Sequence, residues 1–205
     1  MRLTENEKLE LWGMRHSFAS ADASHAIGEF TQGITDLLES GNPGDVYRAL
    51  AGIQQVKAIF ERIHNYSHTV GMLAAKAFLE SEFPEHPWQQ IEFAEDANRK
   101  GLDVRIPNLQ IVAELKTTEP CGKSKGGAGP VKFGGQQKEN IEKDLRKLCV
   151  PDYVDFKKYM FVTSPLAYYC LVRDYRHAFP NVCFVLLNST PEVSRPLSDE
   201  TRNIG

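Results

Sequence analysis

The feature that most constrains this chain is the segment Gly101-Leu102-Asp103-Val104-Arg105-Ile106-Pro107-Asn108-Leu109-Gln110-Ile111-Val112-Ala113-Glu114-Leu115-Lys116, which sets two carboxylates and a lysine inside an apolar run. Two stretches rich in Val, Ile and Leu flank the turn signal Pro107-Asn108, so the pattern predicts a tight β-hairpin. The simplest register pairs Ile106 with Leu109, Arg105 with Gln110, Val104 with Ile111 and Asp103 with Val112. An exposed salt-bridge ladder needs no Ile-Val-Ala-x-Leu run around it, so these polar groups are expected within a buried strand.

Side chains alternate along a strand, so Val112, Glu114 and Lys116 share the face of Asp103, while Ile111, Ala113 and Leu115 take the other. Opposed Cβ atoms lie about 5 Å apart and diagonal ones about 7–8 Å apart. A cation between Asp103 and Glu114 is therefore within reach of both carboxylates and of the Leu115 carbonyl, with Lys116 just beyond. Oxygen donors select Mg2+ or Mn2+ over zinc, and such an ion polarises a phosphoryl oxygen and acidifies an attacking water. A lysine beside it positions that water or stabilises developing charge.

Asp103, ten intervening residues and then Glu114-Leu115-Lys116 resemble the D…ExK core of the PD-(D/E)XK nuclease superfamily, to which many type II restriction endonucleases belong. The resemblance covers the central third of the chain. It implies that Asp103 and Glu114 bind Mg2+ and that Lys116 assists the nucleophilic water. Leu102 stands where the family name has proline. Many members also carry a glutamate on the helix before the core sheet, in a Gly-Glu-x-x-Ala-like stretch. The comparable stretch here is Val70-Gly71-Met72-Leu73-Ala74-Ala75-Lys76, with Met72 at the glutamate position. Either Glu61, His68 or Glu80 substitutes, or the metal relies on Asp103 and Glu114 with waters.

With 205 residues, 41% of them apolar, the chain can build one sizeable domain or one domain with a helical extension. A formal charge of −3 leaves any nucleic-acid contact to a local patch. Cys121, Cys149, Cys170 and Cys183 show no CxxC pairing, which fits reduced thiols in a cytoplasmic protein. No apolar stretch approaches the roughly 18 residues that span a bilayer, and the charged start Met1-Arg2-Leu3-Thr4-Glu5 is unlike a signal peptide, so no membrane association is expected.

Residues 1–83 read as helical, with periodic apolar positions at Leu9, Leu11 and Trp12, at Ile27, Phe30, Ile34, Leu37 and Leu38, and from Val46 to Phe60. Gly41 to Asp45 reads as a loop with Asp45 as N-cap, and Asn65-Tyr66-Ser67 as a break or bend before a helix from Val70 to Phe83. Trp88, Ile91 and Phe93 suggest a strand leading into the hairpin, making three antiparallel strands. A Gly/Lys loop from Pro120 to Gly135 follows. After it come a helix from about Gln136 to Leu148 with Ile141, Leu145 and Leu148 on its buried stripe, a strand at Tyr159–Thr163, a helix from Pro165 to Phe179 and a strand from Val182 to Leu187. The expected class is α/β with a mixed sheet, in the order βββαβαβ behind a helical lead, compatible with a restriction-endonuclease-like core. The expected parts are a helical region at 1–83 for dimerisation or DNA contact, a catalytic core at 84–190 and a surface tail at 191–205.

Several other groupings bear on function. The loop Cys121 to Gly135 is not a Walker loop, because Thr117 stands where the first glycine is required. Its Lys123, Lys125 and Lys132, with Gln136, Gln137 and Lys138 opening the next helix, are the candidate DNA contacts. Lys143, Arg146 and Lys147 suit the C-terminal dipole of that helix. His64 and His68 have zinc-pair spacing but lack an HExxH glutamate and a third ligand, and no G-x-S-x-G elbow exists. Tyr159, Phe161, Tyr168, Tyr169 and Tyr175 read as core. Together these features and the resemblance imply a Mg2+-dependent DNA endonuclease, Mn2+ substituting. The subclass implied is a type II restriction enzyme that cuts double-stranded DNA as a homodimer, without a nucleotide cofactor. The alternatives are a structure-selective or repair nuclease of the same fold and a catalytically inactive binding module derived from one.

Overall fold

A computed structural model of the chain describes residues 3–19, 23–40, 43–88, 101–122 and 131–187. Two compact units emerge, Leu3–Ser67 and a second from His68 onward. The first contains α1 (Glu5–Ala19), α2 (Ala23–Ser40) and the amino-terminal part of α3 (Pro43–Glu82). Thr4 starts α1 through a reciprocal cap: Glu7 N–H donates to Thr4 Oγ1 at 3.1 Å, and Thr4 N–H donates to Glu7 Oε2 at 2.8 Å. Helices α2 and α3 meet where Gly52 faces Phe30. A Cβ on Gly52 would lie 2.7 Å from the Phe30 backbone, so the missing side chain permits the approach.

The second unit holds β1 (Val104–Ile106), β2 (Ile111–Lys116), α4 (Gly135–Leu148), β3 (Lys157–Val162), α5 (Pro165–Tyr175) and β4 (Val182–Leu186). The strands form one mixed sheet in the order β1-β2-β3-β4. The β1–β2 pair is antiparallel and the other two pairs are parallel. Strand alternation sends Val112, Met160 and Val162 toward Ile141, Leu145 and Leu148 of α4 and Ala167, Cys170 and Leu171 of α5. It sends Ile111, Ala113, Leu115 and Phe161 the other way, onto Met72, Ala75 and Leu79 of α3 and onto Trp88. A sheet covered on both faces by helices explains why β2 is a near-continuous apolar run. Among the described residues no helix is long and apolar enough to cross a membrane.

Several elements differ from the sequence reading. Residues 107–110 join the hairpin as a 3-10 turn at Pro107–Leu109 followed by Gln110 at φ 51, and the register is Ile106↔Ile111, Arg105↔Val112 and Val104↔Ala113. Proline holds φ near −65°, whereas a two-residue hairpin turn needs positive φ at its first central position, so Pro107-Asn108 cannot close the shorter loop. Helix α3 begins at Pro43, which suits a first helical position, rather than after an Asp45 cap. It also runs through Asn65-Tyr66-Ser67 without a break, Ser67 returning its hydroxyl to the Ile63 carbonyl at 2.7 Å. Helix α5 stops at Tyr175, short of Phe179. At its start Pro165 takes the first turn and Ser164 accepts from Ala167 N–H at 3.2 Å.

Trp88 is buried in a turn, its indole N–H donating to the Phe83 carbonyl at 2.8 Å, while Ile91, Phe93 and the tail from Asn188 lie outside the described residues. Tyr159 and Phe161 meet Phe78 edge-on within the core. Tyr169, by contrast, is 60% exposed, with the Arg173 guanidinium over its ring.

Gly71 sets the distance between α3 and β2. A Cβ there would lie 2.9 Å from Leu115 Cδ2 and 3.3 Å from Thr163 Cγ2. Gly71→Val is therefore expected to destabilise the protein by about 1–3 kcal/mol through overpacking against a buried strand. Thermal unfolding of the full chain checks this, and an unchanged midpoint would contradict the close approach.

Candidate functional site

The β1–β2 ladder ends at Val104↔Ala113, and the site begins one step beyond it. The next antiparallel rung would engage the Leu115 N–H, but the Asp103 carboxylate takes that proton instead, Leu115 N–H donating to Asp103 Oδ2 at 2.7 Å. The paired register stops there, and Asp103 reaches the end of β2 through its side chain, close enough to Glu114 for a hydrogen bond between the two carboxyls. Because the shift from the expected register is two residues, the paired residues of β1 and β2 keep their faces, but the alternation stops short of Asp103: Leu102 packs with Val112, and Val104 with Ala113 on the other face. The carbonyls of Gln110 and Lys116 accept from Lys157 and Thr163 N–H on the β3 side. By alternation the Leu115 carbonyl faces the β1 side, the side of Asp103.

Glu114 is 3% exposed, in the middle of a strand buried on both faces. Its carboxyl is raised to about 8, first by burial and then by repulsion from Asp103 and Asp144, against the opposing pull of Lys147. It therefore holds its proton more tightly than a free glutamate does. Asp103 is lowered: burial alone would raise it, but the His68 side chain, the Leu115 N–H and a hydrogen bond with Glu114 together outweigh that. His68 Nε2 stands 3.8 Å from Asp103 Oδ1. Two adjacent carboxyls are thus driven apart, one toward the ionised form and one toward the protonated form.

Helix α4 supplies the counter-charges. Lys116 Nζ donates to Asp144 Oδ2, and Lys147 Nζ lies 2.8 Å from Asp144 Oδ1 and 3.1 Å from Glu114 Oε1. Burial would depress the Lys147 ammonium, but Asp144 and Glu114 raise it above its ordinary value. Asp144 and Lys147 escape a reading based on charge pattern, which assigns Lys147 to the helix dipole. The available signal was positional, since Asp144 sits on the Ile141-Leu145-Leu148 stripe where an apolar residue is the default.

Among the three candidate stand-ins for a helix carboxylate, His68 is the one placed against Asp103. Glu61 pairs with Lys57 at 3.7 Å in the helical unit, and Glu80 lies near the end of α3. Met72 is buried in the core against the sheet. Lys123 and Lys125 lie outside the described residues, and Lys132 and Gly122 close onto each other through a backbone bridge. Gln137 commits its side chain to the same closure. Its Oε1 accepts from Gly134 N–H at 2.9 Å and Cys121 N–H at 3.4 Å, and its Nε2 donates to the Glu119 carbonyl at 2.8 Å. Lys138 is exposed on the first turns of α4.

Among the described residues no three His, Cys, Asp or Glu side chains converge as a preformed metal cage. The donor set of two carboxylates and a main-chain carbonyl nonetheless fits a hard divalent cation. Repulsion from Asp103 and Asp144 adds to burial in raising the Glu114 carboxyl, and a cation between the carboxyls would relieve that repulsion. Comparison with known proteins yields no match to a family model, to a curated protein or to a solved structure.

A carboxyl that binds its proton more tightly when folded than when unfolded stabilises the fold at low pH. That contribution is complete below the ordinary value of 4.5 and is lost as pH rises to about 8. Glu114→Gln should therefore gain stability relative to wild type as pH increases from 5 to 8.5, by about 1 kcal/mol or more at the upper end. Denaturant unfolding of both proteins across this range checks it; a difference that stays constant with pH would contradict the assignment.

Proposed function

We propose that this chain is a Mg2+-dependent DNA endonuclease of the PD-(D/E)XK type, with a restriction-endonuclease-like core and, as its subclass, a type II restriction enzyme acting as a homodimer on double-stranded DNA. The observation that carries the reading is the meeting of Asp103 and Glu114 at the open end of a hairpin, with Lys116 following Glu114 on the same face of β2. The mixed sheet with helices on both faces supports it at the level of architecture.

In this reading Asp103, Glu114 and the Leu115 carbonyl hold the ion, which when bound polarises a phosphoryl oxygen and acidifies a water. The chain's own residues do the rest. Asp103, ionised and fixed by the Leu115 N–H, needs no proton loss before it binds a cation. Glu114 holds its proton more tightly than a free glutamate, so cation binding there competes with protonation. Asp144 holds the Lys116 ammonium close to the carboxylate pair, where it can stabilise charge on a phosphoryl group. Lys132 and Lys138, with Lys123 and Lys125, offer the local positive charge that a chain of net charge −3 needs to meet a phosphate backbone.

One observation favours a second reading, a nuclease-derived DNA-binding module without catalysis. Lys147 and Lys116 already balance the acidic cluster internally, and Met72 offers no carboxylate from α3.

Incubating the full chain with plasmid, branched and single-stranded DNA in Mg2+, in Mn2+ and in EDTA separates these readings. The expected outcome is discrete metal-dependent bands from duplex DNA, lost by a factor of about 100 or more in Asp103→Ala and Lys116→Ala. Cleavage confined to branched substrates would reassign the enzyme as structure-selective, and DNA retention without any cleavage would favour the binding module.

A further inference from the structure

The α4 cations do more than neutralise. Three carboxylates (Asp103, Glu114 and Asp144) and two ammonium groups (Lys116 and Lys147) share one end of the sheet, and the two lysines are held differently. Lys116 is 18% exposed and paired with Asp144, whereas Lys147 is 32% exposed and spans Asp144 and Glu114 at 2.8 and 3.1 Å. A weaker contact ties Lys147 to the Gly101 carbonyl at 3.4 Å. Lys147 therefore covers a nearly buried carboxylate from a position that reaches solvent. It also has a second carboxylate to retire to, one turn away on its own helix.

We propose that Lys147 is a tethered competitor for the cation site: its ammonium stands on Glu114 in the cation-free protein and withdraws to Asp144 when a divalent cation takes that carboxylate. This rests on the reading of Asp103 and Glu114 as cation ligands and adds a control to it. A divalent ion shared by Asp103 and Glu114 cancels the charge of that pair, so the Lys147 ammonium is attracted to the pair before binding and loses that attraction afterwards. That loss holds whether Glu114 begins ionised or protonated, so removing the lysine favours the cation in both cases. Asp144 keeps the displaced ammonium paired, which spares the protein an uncompensated charge and makes the exchange reversible. The site then fills only when cation is abundant enough to displace the lysine.

Mn2+ binding to the full-length protein without DNA, followed by electron paramagnetic resonance at fixed pH, tests this. Wild type, Asp103→Ala, Lys147→Met and Lys147→Arg are compared, with circular dichroism melts to verify folding. The expected result is Asp103-dependent binding in wild type, roughly tenfold tighter binding in Lys147→Met, the scale of a single coupled charge, and near-wild-type affinity in Lys147→Arg, which retains the cation. Asp103-dependent binding that is equal or weaker in Lys147→Met would overturn the competitor role while leaving the cation site standing. No Asp103-dependent binding in wild type would remove the site itself, and the competitor role with it.

Discussion

The burial of β2 on both faces governs this unit. Ile111, Ala113 and Leu115 are packed against α3, Val112 against α4 and α5, and Glu114 has to sit in the same strand with 3% of its surface exposed. A carboxyl in that position cannot ionise freely, because burial disfavours the charged form. The chemistry of the site follows from this one conflict between strand packing and a charge. Helix α4 answers with Lys147, and the β1 end answers with an Asp103 that accepts from a backbone N–H and whose charge pushes the Glu114 carboxyl up.

Packing and electrostatics are coupled through two small geometric choices. Gly71 lets α3 come close enough to Leu115 that His68, less than one turn earlier, stands beside Asp103. Asp144 replaces an apolar residue on the buried stripe of α4, and from there it organises both lysines. Neither residue is a metal ligand in the proposed reading, yet both set the field in which the carboxylates operate. A network of this kind leaves its members strongly interdependent, so single substitutions within it are not expected to be additive.

The sequence made β2 and its faces legible, because period-2 alternation at Ile111-Val112-Ala113-Glu114-Leu115-Lys116 does not depend on knowing the partner strand. The same holds for α4, β3 and β4, whose observed limits lie within a few residues of the periodic runs. The hairpin register was misplaced because Pro107 was given a turn that its fixed φ forbids; a slip of two residues nonetheless keeps each paired side chain on its face. The supposed bend at Asn65-Tyr66-Ser67 failed for a different reason. Weak helix formers do not break a helix when a hydroxyl can bond back to the preceding turn.

The sequence by itself determined that a buried strand would carry Glu114 and Lys116 on one face, with Asp103 across a short turn, because those facts depend only on local periodicity and chain reversal. The tertiary structure alone decided which groups meet them. His68 comes from a helix more than thirty residues before Asp103, and Asp144 and Lys147 from a helix some thirty residues after Glu114. Their arrival depends on how α3 and α4 pack on opposite faces of the sheet, and side-chain packing between distant segments leaves no periodic trace in the chain.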